Sequence, residues 1–276
     1  MTENKQYRCV NCGKPHSALY KTYGPTLLKL TKCDKCKGIV DKYIEYDPVI
    51  VMIDIVLITK EAQWHVLYNT EFKSYWKLFI ILVMVETYGL WRRDSLFNIA
   101  VDSLCGMQNG SYNNTFFYAT VPEILKDQCW AWEQQNRSND NDLFIMEKDF
   151  YVQFISTFSG IVMFMMILHG LMKLTKPLSS RYEVSFLRVV KGFSLANMSI
   201  LFTLPMLVWG NTETSQETKT IHYLLVFGYS FMVFFNVFTV VYERSARVTL
   251  SAVAAASLAR FLAGLYVTPA LRDCIL

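Results

Sequence analysis

Four cysteines near the N-terminus hold the residues best suited to chemistry in this sequence. They stand as CVNC and CDKC, that is Cys9, Cys12, Cys33 and Cys36, two C-x-x-C pairs separated by twenty residues. A gap of two residues lets both sulfurs of a pair turn toward one ion. The whole spacing lies at the edge of that of a four-thiolate zinc ribbon. Gly13 directly follows the first pair and Gly38 lies two past the second, where a knuckle turn favours a residue free to take positive φ. Four thiolates fill the tetrahedral sphere of zinc and leave no position for water, so the expected site is structural, one zinc per chain, with no catalysis there. His16 is a substitute ligand that four cysteines make unnecessary. The competing readings are two disulfides or four free thiols. The start of the chain, Met1 to Gln6, is polar and lacks the apolar core of a signal peptide. That predicts a cytosolic N-terminus, where reducing conditions disfavour disulfides. A ring-type ubiquitin ligase would need eight ligands for two zinc ions, and the sequence has no second set.

The remaining candidates are polar groups inside apolar runs, namely Glu86, His169, Asn197, Asn236 and Arg260. Such groups are costly in a bilayer and therefore candidates for function, against the plainer reading of helix–helix hydrogen bonding or snorkelling, which is preferred here. No H-x-x-x-H, D-x-x-D or G-x-S-x-G pattern accompanies them, and no catalytic residue is assigned. Lys29, Lys32, Lys35 and Lys37 surround the cysteines. They are either a solvated face or a contact for anionic headgroups. The net charge of +4 is small, and nucleic acid is not an expected partner. Two fragments around Tyr68 and Tyr242 fit a loose cholesterol-contact pattern that arises widely by chance.

These groups must be positioned by a chain that is 53% hydrophobic and only 18% charged over 276 residues, well below the charge content of soluble domains. The expected fold is mainly α: a polytopic membrane helix bundle of about five spans with a small N-terminal four-cysteine zinc ribbon over residues 1–38. Residues 39–74 follow as an amphipathic docking helix, opened by Asp47 at N-cap and Pro48 at N1. Its apolar run from Val49 to Ile58 is too short to cross a bilayer, and Asp54, Glu61 and His65 are spaced to share one helical face. Residues 75–91 form a first span, residues 92–149 a lumenal loop, and residues 150–271 a bundle of three or four further spans. Ser251, Ala255, Ala259 and Ala263 recur every four residues, as close helix packing favours. Basic second and fourth connectors match a cytosolic N-terminus with five crossings, whereas Arg92 and Arg93 oppose it. The 92–149 loop carries three glycosylation sequons, at Asn109, Asn113 and Asn136, which fit a lumenal loop. Cys105 and Cys129 lie in the same loop and are free either to pair or to remain thiols. The final Cys274-Ile275-Leu276 is one residue short of a prenylation box.

The stretches YRCVNCG, CDKCKGIVDKYIEYDPVIVMIDIVLI and AQWHVLYNT resemble the homology domain of the Arv proteins over about residues 7–70. That family is named for a relation to sterol acyltransferase and a need for viability. The resemblance implies a resident of the endoplasmic reticulum membrane. It implies roles in sterol distribution, sphingolipid balance and early glycosylphosphatidylinositol anchor assembly, and zinc at Cys9, Cys12, Cys33 and Cys36. No catalytic residue comes with it. The expected function is therefore non-enzymatic lipid homeostasis, with membrane lipids, a sterol or a glycolipid intermediate, as partners. The alternative is a zinc-ribbon adaptor that binds and regulates a lipid-synthetic membrane enzyme.

Overall fold

The computed structural model describes residues 7–24, 28–104, 143–175, 184–210 and 215–275. The sequon residues Asn109, Asn113 and Asn136 and the pair Cys105 and Cys129 lie outside them. The head begins with two short antiparallel ribbons, β1 (Tyr7–Arg8) with β2 (Pro15–His16) and β3 (Tyr20–Thr22) with β4 (Leu28–Leu30). Its small core gathers Cys9, Leu19, Cys33 and Val40. So small a core supplies little hydrophobic stabilisation, and the cysteines themselves occupy much of it.

Residues 39–74 form a broken helical hairpin rather than one amphipathic helix. Helix α1 (Pro48–Val56) starts where Asp47 accepts a hydrogen bond from the Val49 amide at 2.8 Å, with Pro48 just inside. It stops at Ile58, which has φ +59°, and the Thr59 amide and hydroxyl both return to the Asp54 carbonyl at 3.0 Å. Helix α2 (Lys60–Trp64) follows and passes into a π-helical turn, His65–Asn69. The break turns the polar residues away from a common face: Asp54 accepts from the Tyr43 hydroxyl at 2.7 Å, whereas His65 meets Asp41.

Among the described residues, four stretches are long and apolar enough to cross a membrane. They are α5 (Leu143–Leu174), the segment Phe186–Trp209, α8 (Gln216–Tyr242) and α9 (Ala246–Ile275). Helix α3 (Tyr75–Trp91) has 17 residues, at the short end of spanning length. Its two ends nevertheless meet opposite ends of the second stretch. The Lys191 ammonium lies over the Tyr75 ring at 5.3 Å, and Arg92 donates to the Leu207 carbonyl at 3.0 Å. A short helix α4 (Leu96–Leu104) follows at the end away from the head, with Phe97 against Phe261.

The second stretch is not uniform. It runs as α6 (Phe186–Ala196), a seven-residue 3₁₀ segment (Asn197–Thr203) and α7 (Leu204–Trp209). Pro205 explains part of this, because its ring would crowd the carbonyl four residues earlier in a regular helix. Phe164, Phe193 and Phe234 meet edge to face at the centre of the bundle, with centroids 5.3–5.7 Å apart. Helix α9 packs on α5, and its Ala252, Val253 and Ala256 are buried. Ser251 and Ala255 are exposed whereas Ala259 and Ala263 are half-buried, so only the second half of the small-residue stripe read from the sequence turns toward the bundle.

Candidate metal centre and its docking on the bundle

The two knuckles bring their sulfurs together crosswise. Cys9 Sγ lies 3.7 Å from Cys36 Sγ, and Cys12 Sγ lies 3.6 Å from Cys33 Sγ. All four are free thiols, and their sulfurs lie within 4.8 Å of one another, so they could hold one metal ion. Each knuckle closes with a backbone bond, Gly13 N–H to the Cys9 carbonyl at 2.8 Å and Lys37 N–H to the Cys33 carbonyl at 2.9 Å. Gly13 takes φ +71° as expected, but in the second knuckle it is Lys37, at φ +62°, and not Gly38. The register explains this: Gly13 and Lys37 each directly follow the second cysteine of a pair. Burial pushes the Cys9 thiol up to about 12. Burial acts the same way on Cys33, but amide donors from Cys36 and Lys35 and the His16 ring outweigh it and hold that thiol at about 5. His16 is thus a neighbour of a candidate ligand, its Nε2 3.3 Å from Cys33 Sγ.

Behind the cysteines lies a buried polar knot. The Asp41 carboxylate, fully buried, accepts from the Tyr43 amide at 3.0 Å, from His65 Nδ1 at 2.7 Å and from Asn69 Nδ2 at 2.6 Å. Asn69 also exchanges two bonds with the Arg8 backbone, at 2.9 and 2.8 Å. The Arg8 side chain reaches the Gly13 carbonyl at 2.9 Å and Glu243 at 3.0 Å, and its guanidinium lies over the Tyr68 ring at 5.5 Å. Arg188 lies over the same ring at 4.9 Å. The Tyr68 hydroxyl donates to the Val240 and Val241 carbonyls, at 3.3 and 3.2 Å. Those carbonyls belong to the last turn of α8, where a helix leaves acceptors without internal partners. The head is therefore bolted to one end of the bundle.

A family model described as the Arv1-like family matches residues 8–234. The chain belongs to the Arv1-like family. It is 28% identical to Protein ARV1 of Homo sapiens over 216 residues, 78% of this chain and 67% of that one. It is 26% identical to Protein ARV1 of Bos taurus, covering 76% of this chain and 62% of that one. A shorter match, 33% identical over 95 residues, joins it to Protein arv1 homolog of Dictyostelium discoideum, covering 31% of this chain and 39% of that one. The chain thus spans about two thirds of the length of the mammalian relatives. No solved structure matches it significantly.

The Arv1-like match takes in the cysteines, the knot and most of the bundle, and ends within α8. The intramembrane groups singled out in the sequence fall into three kinds. His169 Nδ1 meets the Tyr242 hydroxyl at 3.0 Å, and Asn236 bonds its own helix at the Met232 carbonyl at 2.9 Å, both plain structural uses. Glu86 and Arg260 form an ion pair between α3 and α9. Asn197 is buried, and its Nδ2 has no hydrogen-bond partner among the described residues. Tyr68 and Tyr242, the centres of the two cholesterol-contact fragments, both spend their hydroxyls on protein groups. Sequence reasoning missed Asp41, Asn69 and Arg8 as a unit, and also the ion pair of Asp149 with Arg272 at 2.8 Å. Only the pairing of distant segments reveals either.

Proposed function

We propose that this Arv1-like chain is a non-enzymatic lipid-homeostasis protein of the endoplasmic reticulum. In this reading it mediates intracellular sterol distribution, and through it affects sphingolipid balance and glycosylphosphatidylinositol anchor synthesis. The observation that carries the reading is the bolting of a four-cysteine head directly onto the end of a multi-pass bundle by Arg8, Tyr68 and Glu243. Head and bundle are one unit, as suits a protein that handles lipid at a membrane face. The cysteines are proposed to hold structural zinc. Four thiolates at about 2.3 Å from zinc stand about 3.8 Å apart, and the crosswise separations of 3.7 and 3.6 Å fit that sphere. Bound zinc would supply folding free energy and no reaction step. The head is proposed to face the cytosol, with residues 92–149 in the lumen.

The test is sterol transfer between donor and acceptor vesicles by purified full-length protein. Transfer above the protein-free rate is expected, and none with either cholesterol or a glycosylphosphatidylinositol precursor would remove the reading. The adaptor alternative has one observation in its favour: Tyr20 on β3, Leu28 on β4 and Tyr23 just past β3 stand exposed. It predicts that Tyr23→Ser abolishes co-purification of a lipid-synthetic enzyme while leaving vesicle transfer unchanged.

A further inference from the structure

Halfway through the bundle, α3 and the second stretch carry polar groups that the fold leaves incomplete, close to an arginine of α9. Arg260 lies about 21 Å along α9 from its head-proximal end, and Glu86 about 17 Å along α3 from Tyr75. Both depths fall near the middle of a hydrocarbon layer about 30 Å thick. Gly160 on α5 makes room there: a Cβ added to it would stand 3.4 Å from Arg260 Cγ. The Arg260 guanidinium pairs with Glu86 Oε1 and lies 5.8 Å from the Phe193 ring. Three polar atoms on α3 and the 3₁₀ segment, which pack against each other, are buried and unpartnered among the described residues: Glu86 Oε2, Thr87 Oγ1 and Asn197 Nδ2. Thr87 is 0% exposed and Asn197 4% exposed. Asn197 lies one turn beyond Phe193 on the same helix, level with the stretch of α3 between two fixed contacts, Phe79 on Phe193 and Gly89 beside Leu207.

Buried polar groups in folded proteins are nearly always paired, so each exception calls for a reason. Here three such atoms stand on two contacting elements, α3 and the 3₁₀ segment, and one of them belongs to an intramembrane ion pair. They also lie where the second stretch gives up regular α-helix for the 3₁₀ segment Asn197–Thr203. Such segments longer than three or four residues are uncommon and often mark functional hinges. Irregular helix and ionisable groups near mid-membrane are what a lipid-buried binding site needs.

We propose that Glu86, Thr87, Asn197 and Arg260 bind the hydroxyl of a neutral lipid within the bundle. This rests on the lipid-handling reading above and names the group recognised. The carboxylate cancels the guanidinium, so the site has no surplus charge to attract a phosphate. What it offers is an acceptor in Glu86 Oε2, a donor in Asn197 Nδ2 and a hydroxyl in Thr87, beside the aromatic face of Phe193. A lipid hydroxyl donates to the first and accepts from the second, approaching from the side on which Glu86 and Arg260 are partly exposed, with its apolar body left in the surrounding hydrocarbon. A sterol and a ceramide share that chemistry.

The experiment uses full-length protein in nanodiscs, a photoactivatable cholesterol and a photoactivatable ceramide. It compares the wild type with Thr87→Val/Asn197→Leu, which keeps shape and leaves the ion pair intact. Labelling of the wild type by either probe is expected, competed by the free-hydroxyl lipid and not by its methyl ether. The variant should lose about tenfold in labelling, as the loss of one or two hydrogen bonds implies. Its Tm should be equal or higher, because unpartnered polar groups have been replaced by apolar ones. Which probe labels decides between sterol and ceramide. Equal labelling of wild type and variant overturns the site while leaving sterol handling by the protein intact. A wild type labelled by neither probe overturns the site, and vesicle transfer then judges the broader function separately. Loss of labelling with a fall in Tm of several degrees would show a structural role and overturn it as well.

Discussion

Gly13 and Lys37 occupy equivalent places in the two knuckles, and both sit in the left-handed region. Only one of them is glycine. A Cβ on residue 13 would also stand 3.2 Å from the Trp64 ring. Gly13→Ala should therefore destabilise the head by about 1–2 kcal/mol, whereas Lys37→Gly should stabilise it by up to about 1 kcal/mol. The midpoint of zinc release on heating reports both. Protonation sets a second expectation. Without metal, the depressed Cys33 pKa contributes stability to the head above its unfolded value of 9.0, and that contribution is lost as pH falls through about 5. The raised Cys9 pKa works in the other sense, contributing below 9.0 and losing its effect as pH rises through about 12. Zinc must displace the protons that remain, so zinc affinity measured by chelator competition should fall steeply on acidification. At this scale the cysteines were legible because their meaning lies in local spacing. Asp41 was not, since its partners His65 and Asn69 stand 24 and 28 residues away, and nothing in a one-dimensional pattern joins them. Asp41→Ala would strand both, and a loss of about 3–5 kcal/mol in head stability is expected, seen as earlier proteolysis of residues 7–70.

Helix α1 departs most from what periodicity implies. The Tyr229 hydroxyl donates to the Val56 carbonyl at 2.7 Å, and Tyr229 lies about 20 Å along α8 from its head-proximal end. The hairpin tip thus reaches down the side of the bundle instead of resting on its end. Val49, Met52, Ile53 and Leu57 stay exposed along it, at a level where α8 is itself apolar. A fluorescent amino acid placed at Ile53 in reconstituted protein should be quenched by brominated acyl chains and not by aqueous iodide. Tyr229→Phe should weaken that quenching, at a cost in stability of about 1 kcal/mol. The sequence identified the run from Val49 to Ile58 as too short to span and too apolar for water. It could not reveal the break at Ile58, because a β-branched residue at positive φ goes against local preference and is imposed by the surrounding contacts. The long helices were readable from length and apolarity alone. The 3₁₀ segment inside the second was not, beyond the hint of Pro205.

Across the whole molecule, the ends of α3 fix the relation of head and loop. Its first residue meets Lys191 near the head and its C-cap Arg92 meets Leu207 at the other end, so the chain enters residue 94 on the side away from the four-cysteine head. Asn109, Asn113 and Asn136 should accordingly carry glycans in cells when the head is cytosolic. A glycosidase-sensitive mobility shift, lost when all three are changed to Gln, checks this. The Glu86–Arg260 pair makes a further expectation. Arg260→Leu alone leaves a carboxylate stranded in the bundle and should cost about 3–5 kcal/mol, read as detergent-resistant Tm, and Glu86→Leu/Arg260→Leu should recover much of it.

The bond from Tyr68 to Val240 joins residues 172 apart in sequence, and it has a consequence in time. During synthesis the cysteine head emerges first, but the carbonyls it docks on emerge almost last. At about 5–20 residues per second, the finished head waits roughly ten to thirty seconds with Arg8 and Tyr68 uncovered. Docking therefore waits on the synthesis and insertion of α8. A chain stopped before α8 should keep its zinc yet show that aromatic face to chaperones and proteases, marking the unfinished protein for removal.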